Sequence, residues 1–402
     1  EDRTFYITYL KGSEMKVFLF ITFVALCHNM EAALLSNYLP EIQHGDIFDT
    51  IKNASTGTIA MLPHLIPTPK DVLYGGKQLL AGLPFEVGSS LINEICSIAL
   101  ATDVLKPKIT PDIEKMNFML ITPNGNHSYP LMKPKDMWNS PYFQKNRKTV
   151  IFVTGWTTDL GDDIETINVV AEAYHCRGDS NFVVLDSAKF LDTLYSWSAF
   201  NTEEIGKSVA KGLVELLDHV QLEHIHLIGN SLGAHIVGFA GRYFTYETEK
   251  LIPRITGLDP ARPCFNEGQT LSGLQRGDAA FIDIIHSNPG ILGKPEPIGD
   301  VDFYPNGLDP LPPGCLTIVC AHERGWRYFA ESVRPGNEHH FMGTRCNSLP
   351  NYQQGRCPGK AYPMGYAVPQ NIKGSYFLEV NSKSPFGKGR TSVNGHKCNP
   401  AY

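Results

Sequence analysis

The 402-residue chain has little that would hold it in a membrane. Its apolar run Val17 to Cys27 falls well short of the roughly 20 residues a spanning helix needs. It also lacks an excess of positive charge. Lys and Arg number 35 against 41 Asp and Glu, and the net charge of −6 gives a nucleic acid no electrostatic foothold. No C-x-x-C pair stands at metal-ligand distance from histidines, which argues against a zinc site. Internal repeats and low-complexity tracts are absent, so a solenoid or a fibrous array is excluded.

What is present reads as a packed globular protein that leaves the cell. A hydrophobic fraction of 42% with 19% charged residues suits a buried core, and α/β folds of about 250 to 300 residues commonly form one domain. Met15-Lys16, the short apolar core and Met30-Glu31-Ala32-Ala33 have the layout of a secretory signal peptide over residues 15–32. Residues 1–14 precede the start Met as an upstream extension. Cleavage takes Cys27 away and leaves Cys96, Cys176, Cys264, Cys315, Cys320, Cys346, Cys357 and Cys398. An even number in an extracellular compartment predicts disulfide bonds. The sequons at Asn53 and Asn126 are candidate glycan sites.

Residues 33–116 form a Pro-punctuated extension whose apolar stretch Gly75 to Ala101 predicts a helix packed on the main body. From Lys148 the pattern changes. Thr149 to Val153 and Asn181 to Asp186 are short apolar runs, as expected of strands buried on both faces. Thr202 to Gln221 reads as a helix with Ile205, Val209, Leu213, Leu216 and Val220 on one face. Ile225 to Ile228 predicts a strand and Leu232 to Tyr243 a helix. Ile255 to Leu258 and Phe281 to Ile285 predict further strands. Alternating strands and helices make a mostly parallel central sheet covered by helices on both faces, the α/β class.

Gly229-Asn230-Ser231-Leu232-Gly233 is the one G-x-S-x-G of the chain, and it lies between a buried strand and a helix of small residues. A strand-to-helix turn this tight leaves no room for side chains at its flanks, and it exposes the serine hydroxyl above the sheet. The helix beyond it supplies N–H groups and a positive dipole end. The N–H of Leu232, next to the serine, suits an oxyanion. These features mark Ser231 as a nucleophile for acyl transfer.

Ile225 to Gly241, Ile255 to Ala261, Phe281 to His286 and Asp302 to Gly307 together resemble the pancreatic lipase superfamily, over roughly Asn117 to Phe386. That resemblance implies an α/β-hydrolase fold, with a catalytic domain spanning 117–402. Ser198-Ala199-Phe200-Asn201 is most similar to an insect branch near the yolk proteins and phospholipase A1-like enzymes. Yolk proteins have lost the catalytic serine, whereas this chain keeps Ser231. For the acid, Asp259 closes a strand beside Pro260 and Asp283 is the competitor; the resemblance assigns Asp259. For the base, His286, His322, His339-His340 and His396 all follow the acid. The resemblance selects His322, two residues after Cys320. The same resemblance places the second oxyanion donor at the N–H of Trp156, where Thr154-Gly155-Trp156 matches a His-Gly-aromatic sequence. Thr154 and Asn230 both stand where the family commonly has His.

The family spacing also pairs Cys315 with Cys320 and Cys346 with Cys357, and leaves three connectivities open for the other four cysteines. Between Cys315 and Cys320 lie only Leu316 to Val319, and the second roof loop, Ser287 to Gly299, is short as well. In such a family a short lid implies phospholipase A1 or galactolipase activity rather than triglyceride lipase activity. The implied product is a secreted, extracellular lipid ester hydrolase working at a membrane or micelle surface, with yolk-type lipid storage as the alternative. Of the family's acidic calcium ligands only Asp278 is matched, so neither metal nor other cofactor is expected. The residues after Phe386 suggest no C-terminal PLAT domain and no colipase.

Overall fold

The computed structural model describes residues 113–155, 160–186, 195–265 and 271–389. Chain contacts divide the protein into Glu1–Leu83 and Pro84–Tyr402, and all the described residues belong to the second unit. The signal segment, the helix expected at Gly75 to Ala101, Asn53, Cys96, Trp156, His396 and Cys398 lie outside the described residues.

The elements run β1 (Asn117–Thr122), β2 (Gly125–Pro130), α1 (Pro134–Trp138), β3 (Lys148–Val153), α2 (Leu160–Arg177), β4 (Ser180–Asp186), α3 (Tyr195–Leu216) and β5 (Ile225–Asn230). They continue with α4 (Leu232–Thr248), β6 (Arg254–Leu258), β7 (Ile282–Ile285), β8 (Val301–Pro305), α5 (Ile318–Val333), β9 (Met342–Arg345), α6 (Leu349–Gln353), β10 (Ala361–Pro363) and β11 (Gly374–Leu378). The strands form one sheet in the order β10-β9-β11-β8-β7-β6-β5-β3-β4-β1-β2. Every pairing from β11 to β4 along that order is parallel. Antiparallel strands finish both edges. This is the α/β-hydrolase arrangement.

Why the central runs are apolar throughout follows from the layers. On β3 and β4 the side chains of Val150, Phe152, Phe182 and Val184 join one core with Val170 and Tyr174 of α2 and Trp326 and Phe329 of α5. Ile151, Val153, Val183 and Leu185 alternate with them and are just as buried, so the sheet is covered on both sides. Burying each such side chain stabilises the fold by about 1.5–3 kcal/mol.

One expectation shifts. The helix expected at 202–221 is α3, which starts at Tyr195 and ends at Leu216. Val220 stays buried but sits in the turn beyond, its N–H bonded to the Leu216 carbonyl at 3.1 Å. Helix α5 starts at Ile318, where Thr317 caps it by accepting from the Cys320 N–H.

Candidate active site

At the carboxyl end of β5 the chain turns straight into α4, and Ser231 occupies the corner with φ 56° and ψ −120°. A non-glycine residue held there costs about 1–3 kcal/mol, so the surroundings must fix it. They do so through backbone bonds. The Ser231 N–H donates to Leu258 O at 3.0 Å, and Ala261 N–H donates to Ser231 O at 3.2 Å. The bracketing glycines have no room for a side chain. A Cβ on Gly229 would lie 2.3 Å from the Gly233 carbonyl oxygen, and one on Gly233 would lie 2.2 Å from that of Val153. Leu232 is the first residue of α4, where N–H groups lack intrahelical acceptors. The segment after β3 presses on the same corner, since a Cβ on Gly155 would stand 3.1 Å from Ser231 Oγ. Trp156, next along that segment, is outside the described residues.

On the adjacent strand β6, Asp259 follows Leu258 with φ 44° and is fully buried. Its Oδ2 accepts from His322 Nδ1 at 2.5 Å. Its Oδ1 accepts the backbone N–H groups of Ser287 at 2.8 Å and Asn288 at 2.9 Å. A carboxylate can only accept, so Nδ1 of His322 carries the proton and Nε2 is left as the basic nitrogen. His322 comes from the first turns of α5, two residues beyond the Cys315–Cys320 bridge, and 16% of its side chain is exposed. Solvent therefore reaches the imidazole of His322 but not the carboxylate of Asp259. Ser231 Oγ has no hydrogen-bond partner among the described residues, and bonds of this kind commonly tighten only when substrate binds.

The competing residues have other partners. Asp283 is clamped by Arg254 through Nε (2.8 Å) and the terminal nitrogen (2.9 Å), and it also accepts from Thr256. His286 is buried between the Lys294 carbonyl and Asp302. His340 packs beside Glu331, while His339 is exposed. His235 is stacked on Phe265 at 3.7 Å. It accepts the Leu274 N–H at Nδ1 and donates from Nε2 to Ala261 O, and burial pushes its pKa down to about 3. Asp278 is occupied by Arg242. Among the expected site residues, the structure thus brings Asp259 and His322 into contact and sets Ser231 at the end of the neighbouring strand. The donors to Asp259 at 287 and 288 are backbone groups with no sequence signature.

The lid cysteines Cys315 and Cys320 are bonded, as are Cys346 and Cys357, the pairings the family spacing implies. Cys176 and Cys264 are disulfide-bonded too. In the lid, Leu316 is 94% exposed, whereas Ile318 turns inward to open α5.

Residues 87–386 match the family described as Lipase. Vitellogenin-1 of Ceratitis capitata is 31% identical over 359 residues, covering 77% of this chain and 81% of that protein. Vitellogenin-3 of Drosophila melanogaster is 41% identical over 209 residues, 52% of this chain and 50% of that protein's length. A lipoprotein lipase of Neovison vison is 31% identical over 277 residues, 61% of this chain and 57% of that protein.

Proposed function

The chain belongs to the Lipase family, and from that premise we propose that it is a secreted carboxylic ester hydrolase acting on lipids, with Ser231 as nucleophile, His322 as base and Asp259 as acid. The observation that carries the reading is the 2.5 Å contact of His322 with Asp259, beside a serine held in a strained corner. In this mechanism His322 Nε2 removes the Ser231 hydroxyl proton as Oγ attacks the ester carbonyl. Negative charge gathers on the carbonyl oxygen, where the Leu232 N–H and the Trp156 N–H receive it. Each such donor is worth about a hundred- to thousandfold in rate. His322 then returns the proton to the leaving alcohol, and water releases the acyl group by the same path in reverse. Asp259 keeps the imidazole in its Nδ1–H form and steadies the positive charge that develops on it.

The substrate we propose is a phospholipid, with phospholipase A1-like cleavage; a galactolipid or triglyceride is the alternative. Support comes from the lid, because the bridge spans Leu316 to Val319 and part of that span is already the first turn of α5. So short a segment cannot form a helix that covers the site and swings away. Secretion rests on the amino-terminal signal pattern, and the exposed side chain of Asn126 on edge strand β2 suits a glycan there.

The identity to the two vitellogenins favours a second reading, a yolk-type lipid-storage protein with little activity. Labelling with a fluorophosphonate probe separates the two. Covalent modification of the wild-type chain that disappears in Ser231→Ala, together with its ester turnover, supports the hydrolase. Absence of labelling on folded wild-type protein rejects it.

A further inference from the structure

Ser287 lies two residues beyond the end of β7, fully buried, between Asp259 and the helix that bears His322. Its N–H donates to Asp259 Oδ1 at 2.8 Å, and its Oγ donates to the backbone carbonyl of His322 at 3.2 Å. One small residue is therefore bonded to Asp259 and to the main chain of His322. We propose that Ser287 is a positioning residue that fixes the separation of Asp259 and His322. This rests on the reading of that pair as acid and base.

The surroundings show why this position is rigid. His286, the preceding residue, bridges the Lys294 carbonyl at 2.6 Å and Asp302 Oδ1 at 3.0 Å, and its ring stacks on Tyr304 at 4.4 Å. Asp302 Oδ1 also accepts the N–H groups of Ile298 and Gly299. The roof loop is thus anchored at its start, its middle and its end. Asn288 adds a tie from its Nδ2 to Pro310 O, at 2.6 Å, toward the segment leading into the lid. Two glycines leave room for this packing. A Cβ on Gly293 would come within 2.3 Å of Asp259 Oδ1, and one on Gly325 would stand 3.3 Å from Ser287 Oγ. The Ser287 hydroxyl has a second consequence. Held only at Nδ1, the imidazole could pivot about Asp259; the bond from Ser287 Oγ to the His322 carbonyl ties the helix turn that carries the ring to the residue whose N–H holds Asp259. That constraint acts on orientation, which transition-state geometry rewards more than substrate affinity does.

The test reads the site with and without turnover. The low-field Nδ1–H proton resonance of His322 is identified in the full chain by its loss in His322→Ala. In Ser287→Ala, which removes one oxygen and inserts nothing, this resonance is expected to broaden or move. The ester kcat should fall about tenfold, the loss of one hydrogen bond's worth of orientation, with KM unchanged. Ser287→Thr, which keeps the hydroxyl, should return both toward wild type, and thermal melting checks that each variant is folded. A resonance left in place in folded Ser287→Ala overturns the proposal. Should the wild type show no ester turnover, the hydrolase reading fails while the resonance still decides the role of Ser287.

Discussion

Asp259 and Asp283 stand on neighbouring parallel strands, both fully buried, and their partners separate them. One is held by N–H groups and an imidazole, the other by a bidentate guanidinium. Replacing each by asparagine should therefore give different failures. Asp259→Asn is expected to stay folded and lose about 10⁴ in kcat, because the amide favours the wrong tautomer of His322. Asp283→Asn strands the Arg254 charge in the core, with a destabilisation of about 3–5 kcal/mol in urea unfolding, while the molecules that remain folded keep turning over. The opposite pattern would move the acid to 283. His235 makes a second residue-scale prediction. Its folded pKa of about 3 lies below the roughly 6.5 of an unfolded histidine, so between those values the unfolded chain binds more protons. The contribution is complete above about pH 6.5 and is lost as pH falls toward 3, at up to about 1.4 kcal/mol per pH unit. His226, half-buried and also shifted downward by desolvation, adds in the same direction. His235→Gln should be less stable at neutral pH but should show a shallower loss between pH 6 and 4; equal slopes would exclude His235 as a source. At this scale the tight corner at Ser231 was legible, because Gly229 and Gly233 are demanded by contacts of 2.2–2.3 Å that only glycine tolerates. The cradle of Asp259 was hidden, since any non-proline residue at 287 or 288 supplies the N–H groups it uses.

Among elements, the Cys315–Cys320 bridge bears on how firmly His322 is held. Cys315–Cys320 closes a small ring, which in the chain-entropy account contributes about 2 kcal/mol. Arg324 lies against it, with Nε donating to Cys315 Sγ at 3.2 Å and the guanidinium 4.2 Å over Phe386. Removing both cysteines as serines should lower stability by about that amount in urea titration. It should lower kcat further, by about tenfold, because the first turn of α5 frays two residues from His322. A variant that lost stability but no turnover would show that Asp259 and Ser287 alone hold the helix. Strands β3 to β7 were readable because each is an apolar run with one face on each helical layer, and such runs have few alternatives. Edge hairpin β1–β2 was not, since β2 reads Gly-Asn-His-Ser-Tyr-Pro and pairs on one side only, so packing leaves no apolar pattern. Helix α2 escaped for a related reason: polar and acidic residues interrupt its apolar spacing in the first turns.

For the whole molecule the question is what surface the site meets. Among the described residues, the lid segment is closed by a bridge and the loop at 287–299 is fastened through His286, Asn288 and Asp302, and neither contains a separate helix that could hinge. On the reading proposed above the site stands open, and an open site needs no interface to uncover it. Hydrolysis of a phosphatidylcholine should then rise smoothly with concentration through the critical micelle value, without the jump that a closing lid produces. Such a roof also offers little apolar surface for three acyl chains, so a long-chain triglyceride should turn over more slowly than the phospholipid. Exposed Leu316 at the lid tip bears on this comparison, because an apolar tip beside the site favours contact with an aggregated lipid over a dissolved one. Leu316→Ser should therefore weaken action on vesicles several-fold and leave the rate on a dissolved short-chain ester unchanged. The two assays must be run on the same preparation of full-length protein, so that the amino-terminal residues are present in both. Faster cleavage of triglyceride than of phosphatidylcholine would overturn the phospholipase reading. A jump at the critical micelle concentration would show that some other part of the chain closes over Ser231.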